Sequence, residues 1–560
     1  MKKLLIVISI ITVICSCSDN FLDEKPEDFL SSTNAYTNYQ DFNASVNNLY
    51  FLVRRQFYNR DDQRPFDFLY GTDLVYDGEP GSIIRHGNMV QAYNPASVIP
   101  TVHWNLLYKT IAEANAIIGR APNSQMSEQE IKDIVSQARF FRGFAYNVLV
   151  TLYGGVPKVL DEVTSPKVDF VRASKEEILR TIVVEDLTFA AENLPSINQV
   201  RDGRVSNVVA YHYLAEAYLA LGQPTAAIEA TSRVIDDPNT ALMQSRFGTR
   251  SNETPGDVYW DLFRRGNQNR TGGNTEALWV IQFELDIQGG GIVSGGMADS
   301  YLAERHFAPL LRFAPFNSWP VGDYTGGRGI GWGIPTDYFE NTVWGENASN
   351  PDFVNDIRNA NHNFVRVYNK DNSSALAIIA ERIGRDTVWS TEIAPKRREF
   401  YAYPTKVTTP YNHPAGLIRT PATVPYGLTG GAGATYTDQY MVRLAETYLL
   451  RAEAYLANGQ PQLAADDVNA VRMRAKASAV TAAELNIDYI LDERMRELGL
   501  EEKRRLTLMR LGLLYNRVMK YNPFYVSQGM SEHFNLWPIP ADEIEGNRGA
   551  QLEQNPGYPR

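Results

Sequence analysis

A ten-residue segment that occurs twice, far apart in the chain, places the tightest constraint on the fold. Residues 215–224 and 452–461 are identical at nine of ten positions. In each copy, apolar residues recur at helical spacing up to a glycine, and Gln-Pro then opens a second, alanine-rich stretch at 225–235 or 462–474. Glycine is common just past a helix end, and proline suits the first turn of the next helix. Each copy therefore predicts two helices joined by a tight turn.

This pattern is typical of the tetratricopeptide helix-turn-helix, in which small alanines let paired helices approach closely. Further helical pairs are predicted at 102–120 with 127–153, and at 174–193, where Ser174 and Glu177 match a capping box. Because the two clear copies lie far apart, we do not expect one uniform array. The predicted fold is mostly α, a tetratricopeptide-like helix-pair scaffold with a loop-rich, partly β insertion.

The region between the copies has a different character. Residues 241–360 hold 17 of the 40 glycines and five of the eight tryptophans. Helical periodicity lapses there, and strands are predicted at 277–287, 363–368 and 399–407, before helix resumes at Tyr440. Loops on a rigid scaffold are where binding function concentrates, so we expect the insertion to carry the ligand site.

The first residues match a lipoprotein signal. Lys2 and Lys3 precede an apolar run of about 11 residues, which is too short to span a membrane but suits a secretion signal. Cys17 follows a small serine and fits the acylated cysteine, whereas Cys15 follows a bulky isoleucine; an ordinary cleaved signal is the alternative. Two or more acyl chains make a stable anchor. These are the only two cysteines of the chain, so a mature chain without disulfides is predicted.

Charge and motif content exclude several function classes. A net charge of −11 argues against nucleic-acid binding, which needs clustered Lys and Arg. The P-loop, zincin, nucleophile-elbow and dinucleotide fingerprints are missing from the sequence, so no catalytic residue is predicted. The glycine-rich run at 326–333 is interpreted as a flexible loop. A glycosidase carboxylate pair is set by the fold, and it stays open as a minor alternative.

No metal ligand and no cofactor are predicted. The seven histidines are scattered, with no two at metal-ligand spacing. His86, His306 and His533 are interpreted as satisfied core or surface groups. The charged residues between 493 and 505 are interpreted as a network that braces the C-terminal helices.

Short motifs run in order along nearly the whole chain. They lie at 21–26, 104–115 (Trp104, Tyr108, Ile111 and Asn115), 138–142, 152–157, 186–187, 203–204, 443–446, 469–475, 493–505, 537–540 and 554–558. In this order they resemble the SusD/RagB family of starch-utilisation-type outer-membrane lipoproteins from Bacteroidetes. The insertion matches poorly, and such proteins vary there with their ligand.

The resemblance implies a function. A SusD-like protein is a surface lid that captures a glycan, less often a peptide, and delivers it to a SusC-like TonB-dependent transporter without making or breaking a bond. The chain is expected at the outer membrane, lipid-anchored and facing the exterior. A peptide-binding lid, a surface-anchored glycoside hydrolase and a scaffold for protein partners are the alternatives. The predicted signal peptide, lipidated cysteine with spacer, N-terminal helical region, variable insertion and C-terminal helical region span 1–16, 17–35, 36–244, 245–436 and 437–560.

A glycan site needs an exposed aromatic platform with planar hydrogen-bonding side chains beside it. Trp104, Trp279 and Trp537 lie in apolar-periodic or family-pattern segments and are assigned to the core. The candidate contacts come from an early loop at 73–88 and from the insertion, where SusD-like proteins often contact ligand. They are Tyr76, Asp77, Arg85, Trp319, Asp323, Tyr324, Arg328 and Trp332. Packing of the insertion or of the transporter interface is the alternative role for each.

Overall fold

The computed structural model describes most of the chain after residue 35. The described ranges are 36–59, 64–79, 81, 85–287, 290–291, 300–311, 326–345, 349–369, 387–389, 398–408, 412–419, 427–434 and 436–559. Within them, every helix is too short or too polar to cross a bilayer.

Helices form the scaffold. The principal ones are α1 (Tyr39–Phe57), α2 (Val98–Arg120), α3 (Glu128–Tyr153), α4 (Val184–Asn193), α5 (Asn207–Ala220), α6 (Pro224–Ile235), α7 (Leu444–Ala457), α8 (Pro461–Arg474), α9 (Ile487–Leu498), α10 (Arg504–Arg510) and α11 (Leu514–Tyr521). Short α-helical turns lie at Met89–Ala92, Lys175–Ile178, Val258–Leu262, Ala303–Phe307, Asp337–Glu340, Pro351–Asn355, Pro523–Ser527 and Ala541–Gly546. A π-helical turn, Leu179–Val183, leads into α4.

The helices stack in sequence order with one long excursion. α1 packs on α2, α2 on α3, α3 on α4, α4 on α5 and α5 on α6. The chain then leaves for the insertion and returns with α7 directly against α6, and α7 in turn packs on α8 and α9. The two copies of the repeat, distant in sequence, are therefore neighbours in one stack.

The repeat forms the predicted helix pairs, α5 with α6 and α7 with α8. Gly222 and Gly459 follow the first helix of each pair with φ of +67° and +72°, a left-handed conformation that glycine adopts without penalty. Pro224 and Pro461 occupy the first positions of the second helices. The crossing of α5, α6 and α7 is built from one buried leucine, Leu450, and four small buried alanines: Ala215, Ala227, Ala230 and Ala454.

Short antiparallel strand pairs supply the β content. The strands are β1 (Val75–Asp77), β2 (Val156–Pro157), β3 (Arg172–Ala173), β4 (Ala277–Ile281), β5 (Gly333–Pro335), β6 (Phe364–Val365), β7 (Val367–Asn369), β8 (Thr387–Trp389), β9 (Tyr403–Pro404) and β10 (Gln439–Arg443). They pair as β1 with β5, β2 with β3, β4 with β10, β6 with β9 and β7 with β8.

Several sequence expectations about local structure were wrong. Helix does not resume at Tyr440, because Tyr440 pairs with Val280 in the β4–β10 ladder and α7 starts only at Leu444. The predicted strands at 277–287 and 399–407 are shorter, at Ala277–Ile281 and Tyr403–Pro404. At Ser174, the side chain accepts the Glu177 backbone N–H at 3.1 Å, which is one half of the predicted capping box.

The insertion and the scaffold share one hydrophobic core. Trp279 of β4 packs edge-on against Phe144 of α3 and Tyr213 of α5, with ring centroids 5.9 and 6.4 Å apart. Trp104, Trp279 and Trp537 are 3%, 1% and 0% exposed, as predicted for core residues. The insertion is thus held as a packed part of the molecule.

Buried ion pairs fix the insertion to α9. Glu493 accepts hydrogen bonds from Arg358 and Arg472, each at 2.7 Å. Glu497 accepts from Arg358 at 3.0 Å and from Arg443 at 2.5 Å. Burial alone would raise the pKa values of both carboxyls, but the surrounding arginines outweigh it and hold them well below the usual range. This network agrees with the bracing role predicted for the cluster.

A second buried ion pair joins the N-terminal loop to the C-terminal helices. The Asp73 carboxylate accepts from Arg504 at 2.7 and 2.9 Å and from Arg517 at 2.9 Å, and all three side chains are buried. Asp73 lies two residues before β1, so this pairing attaches the start of β1 to α10 and α11.

Candidate functional site

The β1–β5 pair brings the two predicted ligand regions together. Tyr76 faces Ile334 and Asp77 faces Gly333 in the ladder. The Gly78 amide then donates to the Trp332 carbonyl at 2.8 Å. Residues from the early loop and from the insertion, selected separately in the sequence, therefore lie side by side.

Glycines allow the insertion loop to pack tightly at this point. A Cβ on Gly331, whose φ is +66°, would lie 2.2 Å from the Arg398 carbonyl oxygen. A Cβ on Gly78 would lie 2.1 Å from the Gly331 carbonyl oxygen, and one on Gly329 would meet the Pro309 carbonyl oxygen at 2.3 Å. The described part of this loop therefore packs closely against neighbouring backbone.

Two aromatic residues of the site are partly exposed, Trp332 and Tyr76. The Trp332 ring meets the buried His306 ring edge-on at 4.9 Å, and the Arg85 guanidinium lies 5.5 Å from its centroid. Tyr76 stacks on Phe524 with centroids 5.4 Å apart. These contacts hold both rings in fixed orientations while leaving part of each ring accessible.

A chain of ion pairs lies beside the rings. Arg85 donates from Nε to Asp77 at 2.6 Å and from Nη2 to Glu79 at 2.8 Å. Arg398 pairs with the other Glu79 oxygen, and the Arg85 carbonyl accepts from the Tyr525 hydroxyl at 2.9 Å. Asp77 and Arg85 are 1% and 7% exposed, whereas the Glu79 side chain is 42% exposed. Glu79 and Arg398 are therefore the accessible members of this set of ion pairs.

Arg328 lies a few residues before Trp332 in the same segment. Its backbone amide donates to the buried Glu304 carboxylate at 2.7 Å, and Glu304 is also bonded to His413 at 2.9 Å. The Arg328 guanidinium is partly exposed and reaches the Gly430 carbonyl at 3.4 Å. The segment is thus anchored through the Arg328 backbone, while the Arg328 side chain stays partly exposed to solvent.

The structure unites part of the predicted site. Tyr76, Asp77, Arg85 and Trp332 come together, with Arg328 on the adjoining segment. Trp319, Asp323, Tyr324 and Cys17 lie outside the described residues. Sequence reasoning missed Glu79, Arg398 and Phe524. Glu79 lies within the early loop at 73–88. Phe524 and Arg398 reach the site from segments whose local sequence does not indicate a binding role.

A separate cluster could hold a metal ion. One ligand atom each of His212, Glu216 and Glu446 lies within 4.8 Å of the others. Burial lowers the pKa of His212 to about 3 and raises the pKa of Glu446. The expectation of no metal ligand considered histidine pairs only. His212 and Glu216 have the i, i+4 spacing of one helix face, but Glu446 comes from the other repeat copy.

Comparisons with known proteins find SusD-type matches along nearly the whole chain. The SusD family model matches residues 314–558, and a model described as "Starch-binding associating with outer membrane" matches residues 20–219. The SusD-like protein P2 of Formosa agariphila is 25% identical over 99% of both chains. The starch-binding protein SusD of Bacteroides thetaiotaomicron is 38% identical over 136 residues, which are 22% of this chain and 23% of that protein.

Solved structures share the fold. A laminarin-binding SusD-like protein superposes with a TM-score of 0.67 at 20% identity, covering 93% of this chain and 100% of that one. Surface glycan-binding protein A from Bacteroides thetaiotaomicron, in complex with laminarihexaose, has a TM-score of 0.64 at 16% identity, with coverage of 93% and 100%. With family models matching both ends and one fold throughout, the chain belongs to the SusD/RagB family.

Proposed function

We propose that this chain is a cell-surface glycan-binding protein that delivers an oligo- or polysaccharide to a SusC-like TonB-dependent transporter. The observation that carries the proposal is the β1–β5 pair, which sets the partly exposed Trp332 and Tyr76 beside Glu79 and Arg398. Relatives named as starch-binding and laminarin-binding proteins support the same ligand class. We further propose an outer-membrane location, facing outward, with diacylglycerol on Cys17 as the anchor.

The geometry suits gripping a sugar. The C–H face of a pyranose ring stacks on the accessible part of Trp332, because the ring face is apolar and planar. Glu79 and Arg398 then offer planar acceptors and donors to the hydroxyls at the ring edge. Since these groups are already held by their own contacts, little side-chain freedom is lost on binding.

The buried residues of the site are assigned a positioning role. Asp77 and Arg85 are almost inaccessible. Asp77 orients Arg85, which in turn holds Glu79 and lies over the Trp332 ring. Trp319, Asp323, Tyr324 and Arg328 are proposed to extend the accessible surface. Both carboxylates of the ion-pair chain are engaged by guanidinium groups, an arrangement that favours binding over the acid catalysis of a glycosidase.

Calorimetric titration against a panel of polysaccharides, including laminarin and starch, tests the ligand class. We expect Trp332→Ala to weaken binding of the best glycan at least tenfold, about 1.4 kcal/mol, since truncated aromatic anchors commonly cost that much or more. Tyr455→Ala removes another partly exposed aromatic, on α7, and is the matched control. Wild-type affinity in a folded Trp332→Ala variant would remove Trp332 from the site.

Other outcomes of the same panel address the alternatives. Silence toward every glycan together with a clear peptide signal would make the ligand a peptide. New reducing ends after incubation with glycans would make the chain a hydrolase. Purification through a tag on this chain from detergent-extracted membranes is expected to bring a TonB-dependent transporter with it, and its absence would contradict the delivery step.

The anchor has its own test. Cys17→Ala is expected to release the protein from membranes of cells that lack the transporter, because the thiol that carries the acyl chains is gone. Cys15→Ala is the matched control and should stay membrane-bound. Membrane retention of Cys17→Ala in that strain would contradict lipidation at Cys17.

A further inference from the structure

A small cavity lies where the two repeat copies meet α3 and α10. It has a volume of about 40 Å³, enough for an ion or a water, and is lined by His212, Glu216, Glu446 and Asn147 among others. His212 and Glu216 stand one turn apart on α5, and Glu446 stands in the first turn of α7. The cluster therefore contains residues from both copies of the repeat.

The hydrogen bonds around the cluster orient its ligand atoms. Nδ1 of the buried His212 is 3.0 Å from the Thr447 hydroxyl, and Nε2 has no recorded hydrogen bond among the described residues. Glu216 Oε2 accepts from the Asn147 amide at 3.3 Å, and Glu446 Oε1 accepts from Arg494 at 2.7 Å. Metal-binding imidazoles and carboxylates are held by such outer contacts, which fix ring and carboxylate orientation.

A buried oxygen without a hydrogen bond is a second observation at this cavity. Asn147 is 5% exposed, and its Oδ1 has no hydrogen-bond partner among the described residues. A buried carbonyl oxygen left in this state costs about 1–3 kcal/mol, so such groups usually have a partner. Asn147 lines the same cavity and contacts Glu216, so its Oδ1 would coordinate a cation bound there.

The two copies of the repeat place equivalent glutamates in different surroundings. Glu453 is the equivalent of Glu216 in the second copy, and Arg510 neutralises it with bonds of 2.5 and 2.7 Å. Glu216 forms no ion pair within the part of the chain that is described, and Asn147 is its recorded hydrogen-bond donor. Arg494 and Arg510 already pair with other carboxylates, Arg494 with Glu446 and Glu502 and Arg510 with Glu453. Lys503 also lines the cavity and donates to the Tyr58 hydroxyl at 2.8 Å and to the Glu501 carbonyl at 3.2 Å. Among the described residues, Glu216 is thus the carboxylate of this cavity without an ion-pair partner.

We propose that His212, Glu216 and Glu446, with Asn147 Oδ1 as a fourth ligand, bind a divalent cation, preferentially Zn²⁺, that links the two repeat copies. One imidazole with two carboxylates is a ligand set that Zn²⁺ accepts, with bonds of about 2.0–2.2 Å. Tetrahedral bonds of that length place ligand atoms roughly 3.4 Å apart. The present separations, within 4.8 Å, close to this value by side-chain rotation, and the partly exposed glutamates give an ion access.

Titration of the purified full chain with metal tests this site. After treatment with a chelator, the wild type is expected to bind one Zn²⁺ per chain by calorimetry and to melt several degrees higher with Zn²⁺ than without it. Glu216→Gln keeps the shape of the side chain and should weaken Zn²⁺ binding at least tenfold and abolish the thermal shift. Glu229→Gln, the same change at an exposed position of α6, should behave as the wild type.

His212→Gln is a second variant and should also weaken Zn²⁺ binding at least tenfold. If one of the two variants fails to fold, the other still tests the site. Equal Zn²⁺ binding by the wild type and Glu216→Gln would show that the ion sits elsewhere. No binding of Zn²⁺, Mn²⁺ or Ca²⁺ to the wild type would overturn the site. Glycan titration of the same samples separates this outcome from failure of the proposed function, which does not depend on the metal.

Discussion

Replacing Asp73 by Asn tests whether a buried ion pair fixes the N-terminal loop to the C-terminal helices. Asn keeps the size of the side chain and removes its charge. Arg517 would retain Asp492 at 2.7 Å, but Arg504 would keep only Glu502, at 3.6 Å, as an ion-pair partner in the described part of the chain. The substitution therefore leaves a buried guanidinium poorly compensated.

The expected loss of folding stability is about 3–5 kcal/mol, the usual cost of removing one member of a buried pair. That is a large share of the roughly 5–15 kcal/mol by which domains are stable. Asp169→Asn is the matched control, because Asp169 pairs with Lys167 at 2.9 Å on the surface and its side chain is 59% exposed. A surface pair of this kind contributes little to stability, because water and salt screen it.

The pH dependence gives the argument a second readout. Burial alone would raise the pKa of Asp73, but Arg504 and Arg517 outweigh it and hold the pKa well below its usual range. A carboxyl with a lowered folded-state pKa stabilises the fold above its unfolded pKa, about 3.9, and loses that contribution as the pH falls below it. The stability gap between wild type and Asp73→Asn should be constant above about pH 5 and narrow in acid.

Urea denaturation, followed by circular dichroism between pH 3 and pH 8, measures both quantities. We expect the midpoint of Asp73→Asn to fall strongly at pH 7 and that of Asp169→Asn to stay near the wild type. A loss below about 1 kcal/mol, or a gap that does not change in acid, would refute the reasoning that this pair is buried and ionised.

Three further perturbations probe the helix crossing, a buried lysine and the packed loop. Ala227→Leu overfills the α5–α6–α7 crossing and is expected to cost about 1–3 kcal/mol in thermal or urea unfolding, and unchanged stability would contradict that packing. Burial lowers the pKa of Lys503 to about 7, so wild-type stability relative to Lys503→Met should rise between pH 7 and pH 10; a flat difference would oppose it. Gly331→Ala should abolish glycan binding in a chain that still folds, as the added Cβ pushes the Trp332 segment from Arg398; retained affinity would count against this.

The sequence predicted the elements that local patterns encode. The helix pairs of the repeat follow from Gly222, Gly459 and the prolines after them, which act within one turn of the chain. The core positions of Trp104, Trp279 and Trp537 follow from the apolar-periodic or family-pattern segments in which these residues lie. Family membership follows from motifs whose order is visible without any structure.

Pairings between distant segments could not be predicted in the same way. Tyr440 is extended because β4 lies beside it, although its own neighbours in sequence favour helix. Glu79 gains its role from Arg398, 319 residues away, and Glu446 approaches His212 only because the chain returns to the stack. Such contacts depend on how the segments are folded together, and no local periodicity records them.

The return of the chain to the stack has a practical consequence. Since α6 and α7 pack on each other, the segment between them starts and finishes at adjacent places, and its base is closed by the β4–β10 ladder. A relative's insertion grafted between these two strands needs no change in the spacing of the helices. Exchange of residues 282–438 with retention of both strands would therefore transfer the Trp332 and Arg398 part of the proposed site and leave Tyr76 and Glu79 in place. The incoming segment must also replace Arg358 as the partner of Glu493 and Glu497.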